Sequence, residues 1–226
     1  MESFAEFVEG PLLWAAFIIF IVGSIYRVIT FFSLSTKRDK IVYQNFNLGA
    51  VIKTWLRYIF PFNQTVKKTP VFSIAGYLFH LCLLIVPLFC VAHLNEWEEG
   101  YLWTSGILEW SVLSWAWIPE GWTPVMTWIV IVIGAGFLLR RLVLPEVKIL
   151  TEASDYLILI VTVLPFLTGF LASHTGVLGD HGRLIHIMAG ELMLILIPLT
   201  KLSHFLLFFP SRMVMGIEWN RRGYSA

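Results

Sequence analysis

Residues 184–209 read LIHIMAGELMLILIPLTKLSHFLLFF, and this stretch decides the fold. Its only charged side chains are Glu191 and Lys201. About 20 apolar residues in a helix cross the hydrocarbon core of a bilayer. The segment therefore reads as a transmembrane helix, long enough to tilt or to place one end outside the hydrocarbon. Four further stretches share this character, at about 12–32, 71–94, 124–139 and 156–172. Pro87, Pro165 and Pro198 fall inside spans, where neighbouring groups can satisfy the carbonyls they free. Composition agrees: 58% of the residues are hydrophobic and 14% charged, against roughly 25% charged in a soluble domain. Mean hydropathy is +0.77. The expected architecture is an all-α integral membrane protein, one domain over 1–226 built as a five-transmembrane-helix bundle. The start, Met1-Glu2-Ser3-Phe4-Ala5-Glu6, is acidic where a cleavable signal peptide is basic, so none is expected.

The charges give an orientation. Five spans put segments 33–70 and 140–153 and the C-terminal tail on one side. That side holds Lys37, Arg38, Lys40, Lys53, Arg57, Lys67, Lys68, Arg140, Arg141, Lys148, Arg212, Arg221 and Arg222. The opposite loops hold Arg183 as their one basic Lys or Arg, and collect Glu2, Glu6, Glu9, Glu96, Glu98, Glu99, Glu109, Glu120 and Asp180. By the positive-inside rule the N-terminus is outside and the C-terminus cytoplasmic.

Two connections carry apolar residues of their own. Segment 41–60 mixes Phe46, Leu48, Val51, Ile52, Trp55 and Ile59 with Lys53 and Arg57. It reads as an amphipathic helix on the inner surface or as a platform for a cytoplasmic partner. Segment 95–122 holds Trp97, Trp103, Trp110, Trp115, Trp117 and Trp122. It reads as an interfacial aromatic belt, or as a lid or docking surface at the outer face.

Redox chemistry in this chain has to use histidine. The two cysteines, Cys82 and Cys90, are eight residues apart on one apolar stretch. That is roughly 12 Å of helix, too far for a disulfide. No cysteine motif for covalent haem, zinc or iron–sulfur is present. His80 and His93 lie on the second span, and His186 and His204 on the fifth. His174 and His181 flank the outer loop between spans four and five. Ionisable groups within spans are costly and usually functional.

The spacing predicts pairs. His186 and His204 are eighteen residues apart, five turns of a continuous helix, which places them on one face about 27 Å apart. Spans two and five are antiparallel, so His93 and His186 share the outer end while His80 and His204 lie deeper. Two imidazoles meeting one iron from facing helices is how a bundle holds a bis-histidine haem. Two such pairs predict two stacked haems. His80 and His93 are thirteen residues apart, about 140° out of phase on an ideal helix, and Pro87 offers a kink that restores the phase. The alternatives are one haem with two packing histidines, or His174 in place of His93 at the outer haem. Gly76 and Gly190, each one turn from a histidine, suit close approach of a macrocycle or of another helix.

The fifth span, Arg183-Leu-Ile-His186 through Gly190, Pro198, Lys201 and His204, resembles the last helix of the membrane cytochrome b (gamma) subunit of respiratory nitrate reductase. Leu78-Phe79-His80 resembles the first ligand of that family's second helix, although His93 comes later than the second-helix partner there. Asp155-Tyr-Leu, the 164–172 stretch LPFLTGFLA, Gly190-Glu-Leu and Pro210-Ser-Arg-Met are similar to the cytochrome b subunits of transmembrane redox complexes of sulfate-reducing bacteria, of the high-molecular-weight cytochrome complex type. The resemblance implies a bacterial inner-membrane electron-transfer subunit with two non-covalent haems b, and either menaquinone as substrate or direct haem-to-cluster transfer. It also implies a cytoplasmic-face iron–sulfur partner resembling heterodisulfide reductase, an outer-face multihaem cytochrome c and other membrane subunits.

The expected function is a di-haem b conduit with axial ligands His80, His93, His186 and His204. His174, Asp180, Arg183 and Glu191 are the candidates for quinone or haem-propionate contacts. Competing readings are a proton or metal transporter, which the lack of an inverted repeat disfavours, and a cofactor-free membrane anchor.

Overall fold

The computed structural model describes residues 2–60, 64–99, 118–119 and 121–224. Every regular element among them is helical. Five helices are long and apolar enough to cross a membrane: Ser3–Arg38, Pro70–Glu96, Trp122–Val143, Ala153–His174 and Gly179–Leu199. The main elements are α1 (Leu13–Arg38), α2 (Leu48–Ile59), α3 (Pro70–Phe89), α4 (Val91–Glu99), α5 (Trp122–Val143), α6 (Ala153–His174), α7 (Gly182–Leu199) and α8 (His204–Arg221). Contacts group them into two compact units, one of residues 1–73 and 183–226, the other of residues 74–182.

In the first unit α1 is entered through a π-helical stretch, Val8–Leu12, that contains Pro11. Proline has no N–H to give to the i−4 carbonyl, and the wider π turn absorbs that gap. Segment 41–60 is not one helix. Lys40–Gln44 is a short helix of its own, and Asn47 restarts the chain as the N-cap of α2, its Oδ1 accepting from Ala50 N at 2.9 Å. One face of α2 packs on α8, with Val51 and Ile217 buried beside Val42. Gly216 makes this crossing close: a Cβ there would lie 2.6 Å from Thr54 Oγ1 and 2.9 Å from Ala50 O. Trp55 Nε1 donates to Phe209 O at 2.9 Å, and the Arg212 guanidinium sits 4.3 Å from the Tyr58 ring centre. The other face of α2 leaves Leu48, Ile52, Leu56 and Ile59 exposed. That apolar stripe fits a helix lying at a membrane surface.

In the second unit Phe79, Cys82 and Val86 of α3 meet Val130 of α5 and Phe166 of α6 in a continuous apolar core. The 79, 82, 86 spacing is one helical face. Gly134 lets α5 and α6 approach; a Cβ there would fall 2.5 Å from Val163 Cγ2. The buried hydroxyls of Thr127, Thr162 and Thr168 each donate to the carbonyl four residues back, at 2.8, 2.8 and 2.9 Å, so no polar atom of theirs is stranded in an apolar setting. A reciprocal Glu152–Asp155 capping box starts α6. Cys82 and Cys90 are both free thiols.

Four of the spans differ in detail from expectation. Helices α5 and α6 run past 124–139 and 156–172 because polar ends such as Arg140, Arg141 and Asp155 stay helical beyond the apolar run. Span two runs from Pro70 to Glu96 and is irregular at Cys90 alone, between α3 and α4, where Cys90 N still donates to Val86 O and Leu94 N to Cys90 O, both at 3.0 Å. Span five does not continue to Phe209: α7 ends at Leu199 and α8 starts at His204. Of the tryptophan-rich connection, Trp103, Trp110, Trp115 and Trp117, together with Glu109 and Glu120, lie outside the described residues, as does the Trp97 side chain.

Candidate haem-ligating histidines

His80 and His93 belong to the second unit, and His186 and His204 to the first. His80 sits midway along α3, its Nδ1 2.7 Å from Gly76 O. His93 stands in α4, just past the irregularity at Cys90, and its Nδ1 reaches back six residues to Pro87 O at 3.0 Å. His204 opens α8, with Nδ1 3.0 Å from Lys201 O. In each case the partner is a carbonyl, which only accepts. Nδ1 must therefore carry a proton, which in the neutral imidazole puts the lone pair on Nε2. A histidine that ligates a metal through Nε2 is oriented in this way, with Nδ1–H given to a backbone carbonyl or carboxylate. His186 lies half-buried on α7.

The break before His204 has a local cause. Thr200 is extended at φ −123° and ψ −171°. Its Oγ1 accepts from Leu202 N at 3.2 Å and donates to Leu196 O at 2.7 Å. Leu202 N is thereby diverted from Pro198 O, its partner in a regular helix. A single turn of 3₁₀ helix, Lys201–Ser203, then leads into α8. The expectation that His186 and His204 share a face of one continuous helix does not hold, because five regular turns do not connect them.

His174 closes α6 and is exposed. Its ring stacks on Phe170, with centres 4.7 Å apart and planes at 4°, and Phe170 in turn meets Trp128 at 5.0 Å. Ser173 Oγ lies 2.7 Å from His174 Nδ1 and spends its one proton on Gly169 O, also at 2.7 Å. Nδ1 is again the donor, so the His174 tautomer matches the other three. Asp180 and His181 are exposed in the short 3₁₀ helix Gly179–His181. Arg183 pairs with Glu9 at 3.1 Å, a partner not foreseen from the sequence.

Glu191, on α7, is only 3% exposed, and neither carboxylate oxygen has a hydrogen-bond partner among the described residues. An ionised carboxylate in that setting is costly. The side chain calls for a proton or for a group from outside the described residues.

A haem pocket needs Nε2 lone pairs, room beside the helix backbone, and polar groups to meet the periphery of the ring. The tautomers of His80, His93 and His204 meet the first need. A Cβ added at Gly76 or Gly190 would touch no described residue within 4 Å, which meets the second. Glu191 is an orphaned buried polar group of the third kind. The residues present fit the group. Among the described residues no three His, Cys, Asp or Glu side chains gather as a site for a free metal ion; a bis-histidine haem needs two.

Arg27 was not a sequence candidate. It is a lone arginine inside the apolar first span, and its Nε donates to Pro198 O at 2.6 Å. A charged residue in an otherwise apolar run was the signal available for it.

No protein-family model and no solved structure matches the chain. It is 36% identical over 219 residues to a protein of Nitratidesulfovibrio vulgaris (strain Hildenborough) that is described only as "Protein", with 94% of this chain and 92% of that one covered. The chain therefore belongs to one family with that protein of a sulfate-reducing bacterium.

Proposed function

We propose that this protein is a di-haem b electron-transfer subunit that links a menaquinone pool to redox partners of a respiratory complex in a bacterial inner membrane. The observation that carries the proposal is the shared placement of His80, His93 and His204, each with Nδ1 against a backbone carbonyl. The proposed axial ligands are these three and His186. The relative from a sulfate reducer agrees with the organisms whose cytochrome b subunits the sequence resembles.

The bound haems would supply one-electron transfer, and the protein would supply everything else. The carbonyls of Gly76, Pro87 and Lys201 fix the ring orientation and basicity of their histidines. Glu191 would hold a proton, or a hydrogen bond to a quinone or propionate, in a place where no described residue partners it. His174, with Nε2 as acceptor, and Arg183 and Asp180 are the proposed polar groups of a quinone site. Arg183 could turn to such a ligand only by giving up Glu9.

On the opposite side, in the proposed orientation, a cleft of about 640 Å³ is lined by Arg38, Lys40, Arg221 and Arg222 together with Asp39 and Glu218. Hydrogen bonds from Arg221 and then Arg222 hold the Glu218 carboxyl down to about 2. Glu218 is therefore an anion at any physiological pH and fixes both arginines. This basic rim suits the proposed iron–sulfur partner on the cytoplasmic face, with a multihaem cytochrome c on the outer face.

The visible spectrum tests the function. The purified protein is expected to show a Soret band and a b-type α band on reduction, at two haems per chain. A colourless preparation from a haem-replete host rejects the proposal and favours proton relay through Glu191, whose lack of a partner among the described residues is the observation on that side. Topology is tested separately. A cysteine engineered at Gly100 is expected to react with an impermeant thiol reagent from outside, and one near residue 222 only after the membrane is opened. The reverse pattern inverts the orientation.

A further inference from the structure

The geometry points to Arg27 as the positioning residue for His204, an inference that rests on reading His204 as a haem ligand. Where α7 stops, Thr200 takes the N–H of Leu202, and the carbonyl of Pro198 loses its helical donor. Arg27 Nε replaces that donor at 2.6 Å. One turn earlier on α1, Gly23 lies against the proline ring; a Cβ there would fall 2.7 Å from Pro198 Cβ and 2.9 Å from Cγ. Pro198 itself is fully buried. Helix α1 thus grips the last turn of α7 at two points, by ring contact at Gly23 and by hydrogen bond at Arg27. The 3₁₀ turn that follows supplies Lys201 O, the acceptor for His204 Nδ1. The orientation of the His204 ring is therefore set by a turn that follows a helix end held by α1.

This role needs a donor at the position of Nε, not a charge. Glutamine carries an N–H₂ at the same number of bonds from Cα as Arg27 Nε, without the charge. Methionine keeps the length and has no donor. In the full-length protein, Arg27→Met is expected to shift the electron paramagnetic resonance signal and the midpoint potential of one haem, the one that His204→Ala removes. The other haem should be unchanged, and Arg27→Gln should restore the wild-type signal. A readout independent of haem is the reactivity of an engineered thiol, Ser203→Cys, at the buried end of the turn. It is expected to rise about tenfold or more with Arg27→Met, as befits loss of a hydrogen bond from a charged donor, and to stay at the wild-type rate with Arg27→Gln. If Arg27→Met does not accumulate, Gly23→Ala presses on the same proline and is expected to shift the same haem. Wild-type protein without haem overturns the ligand reading and this inference with it. Two haems in the wild type, with neither Arg27→Met nor Gly23→Ala shifting either one, overturns this inference alone. So does an Arg27→Gln variant that behaves like Arg27→Met, because the charge would then carry the effect.

Discussion

His186→Ala and His204→Ala are each expected to lower the haem content from two per chain to one, and to remove different haems. Loss of a partner outside the metal's own ligands commonly costs 10–100-fold in affinity, so loss of an axial ligand should leave that site empty after purification. The two sites should also respond independently. Leu199 ends the helix that carries His186, and the 3₁₀ turn Lys201–Ser203 intervenes before the helix that His204 opens. A change at either residue is therefore not transmitted along a continuous hydrogen-bond ladder to the other. Pyridine haemochrome assay of each variant gives the count, and redox titration shows which haem remains. Two haems retained in either variant removes that histidine from the ligand set. Both haems lost in both variants contradicts independent sites.

The five spans were legible in the sequence because hydropathy over about 20 residues is a strong signal and few other structures satisfy it. The break in span five was not. From Leu184 to Phe209 the apolar character scarcely changes, and Pro198 alone does not end a membrane helix. What ends it is Thr200 in an extended conformation, its hydroxyl bridging Leu202 N and Leu196 O. Threonines elsewhere in the chain bond four residues back without breaking their helices, as Thr127, Thr162 and Thr168 do. Residue type did not separate the two outcomes.

The division of segment 41–60, read as an amphipathic helix or a partner platform, into two helices was hidden for a related reason. Asn45 and Asn47 fall within an otherwise amphipathic pattern, and Asn47 acts as an N-cap, a role read with certainty only from its bond to Ala50 N. The candidate histidines were legible as residues, since six histidines in a membrane chain are conspicuous. Their tautomers were not, because Gly76, Pro87 and Lys201 declare themselves as acceptors only once the backbone is placed. Arg27 was overlooked because its contact, Pro198, lies 171 residues away in sequence.

His93, rather than His174, is expected to complete the outer haem. The thirteen residues from His80 to His93 put the two rings out of phase on an ideal helix, and a correction was required of Pro87. The helix is irregular near that place by one residue: α3 ends at Phe89, Cys90 stands between, and α4 begins at Val91, with Cys90 N still donating to Val86 O. The carbonyl of Pro87 accepts from His93 Nδ1 across the irregular residue, at 3.0 Å. The proline that opens the possibility of a kink thus also fixes the ring beyond it. His174 has the right tautomer too, but its ring is committed to a face-to-face stack on Phe170. Taking His93 keeps two ligands on each of two expected spans, whereas His174 would bring in a third. His93→Ala is therefore expected to abolish one of two low-spin bis-histidine signals in electron paramagnetic resonance. His174→Ala should keep both signals and slow quinol-driven reduction by tenfold or less, about 1.4 kcal/mol of transition-state stabilisation. The opposite pattern, a signal lost with His174 and kept without His93, would assign the ligand to α6 and leave His93 as a histidine that ties α4 back to Pro87.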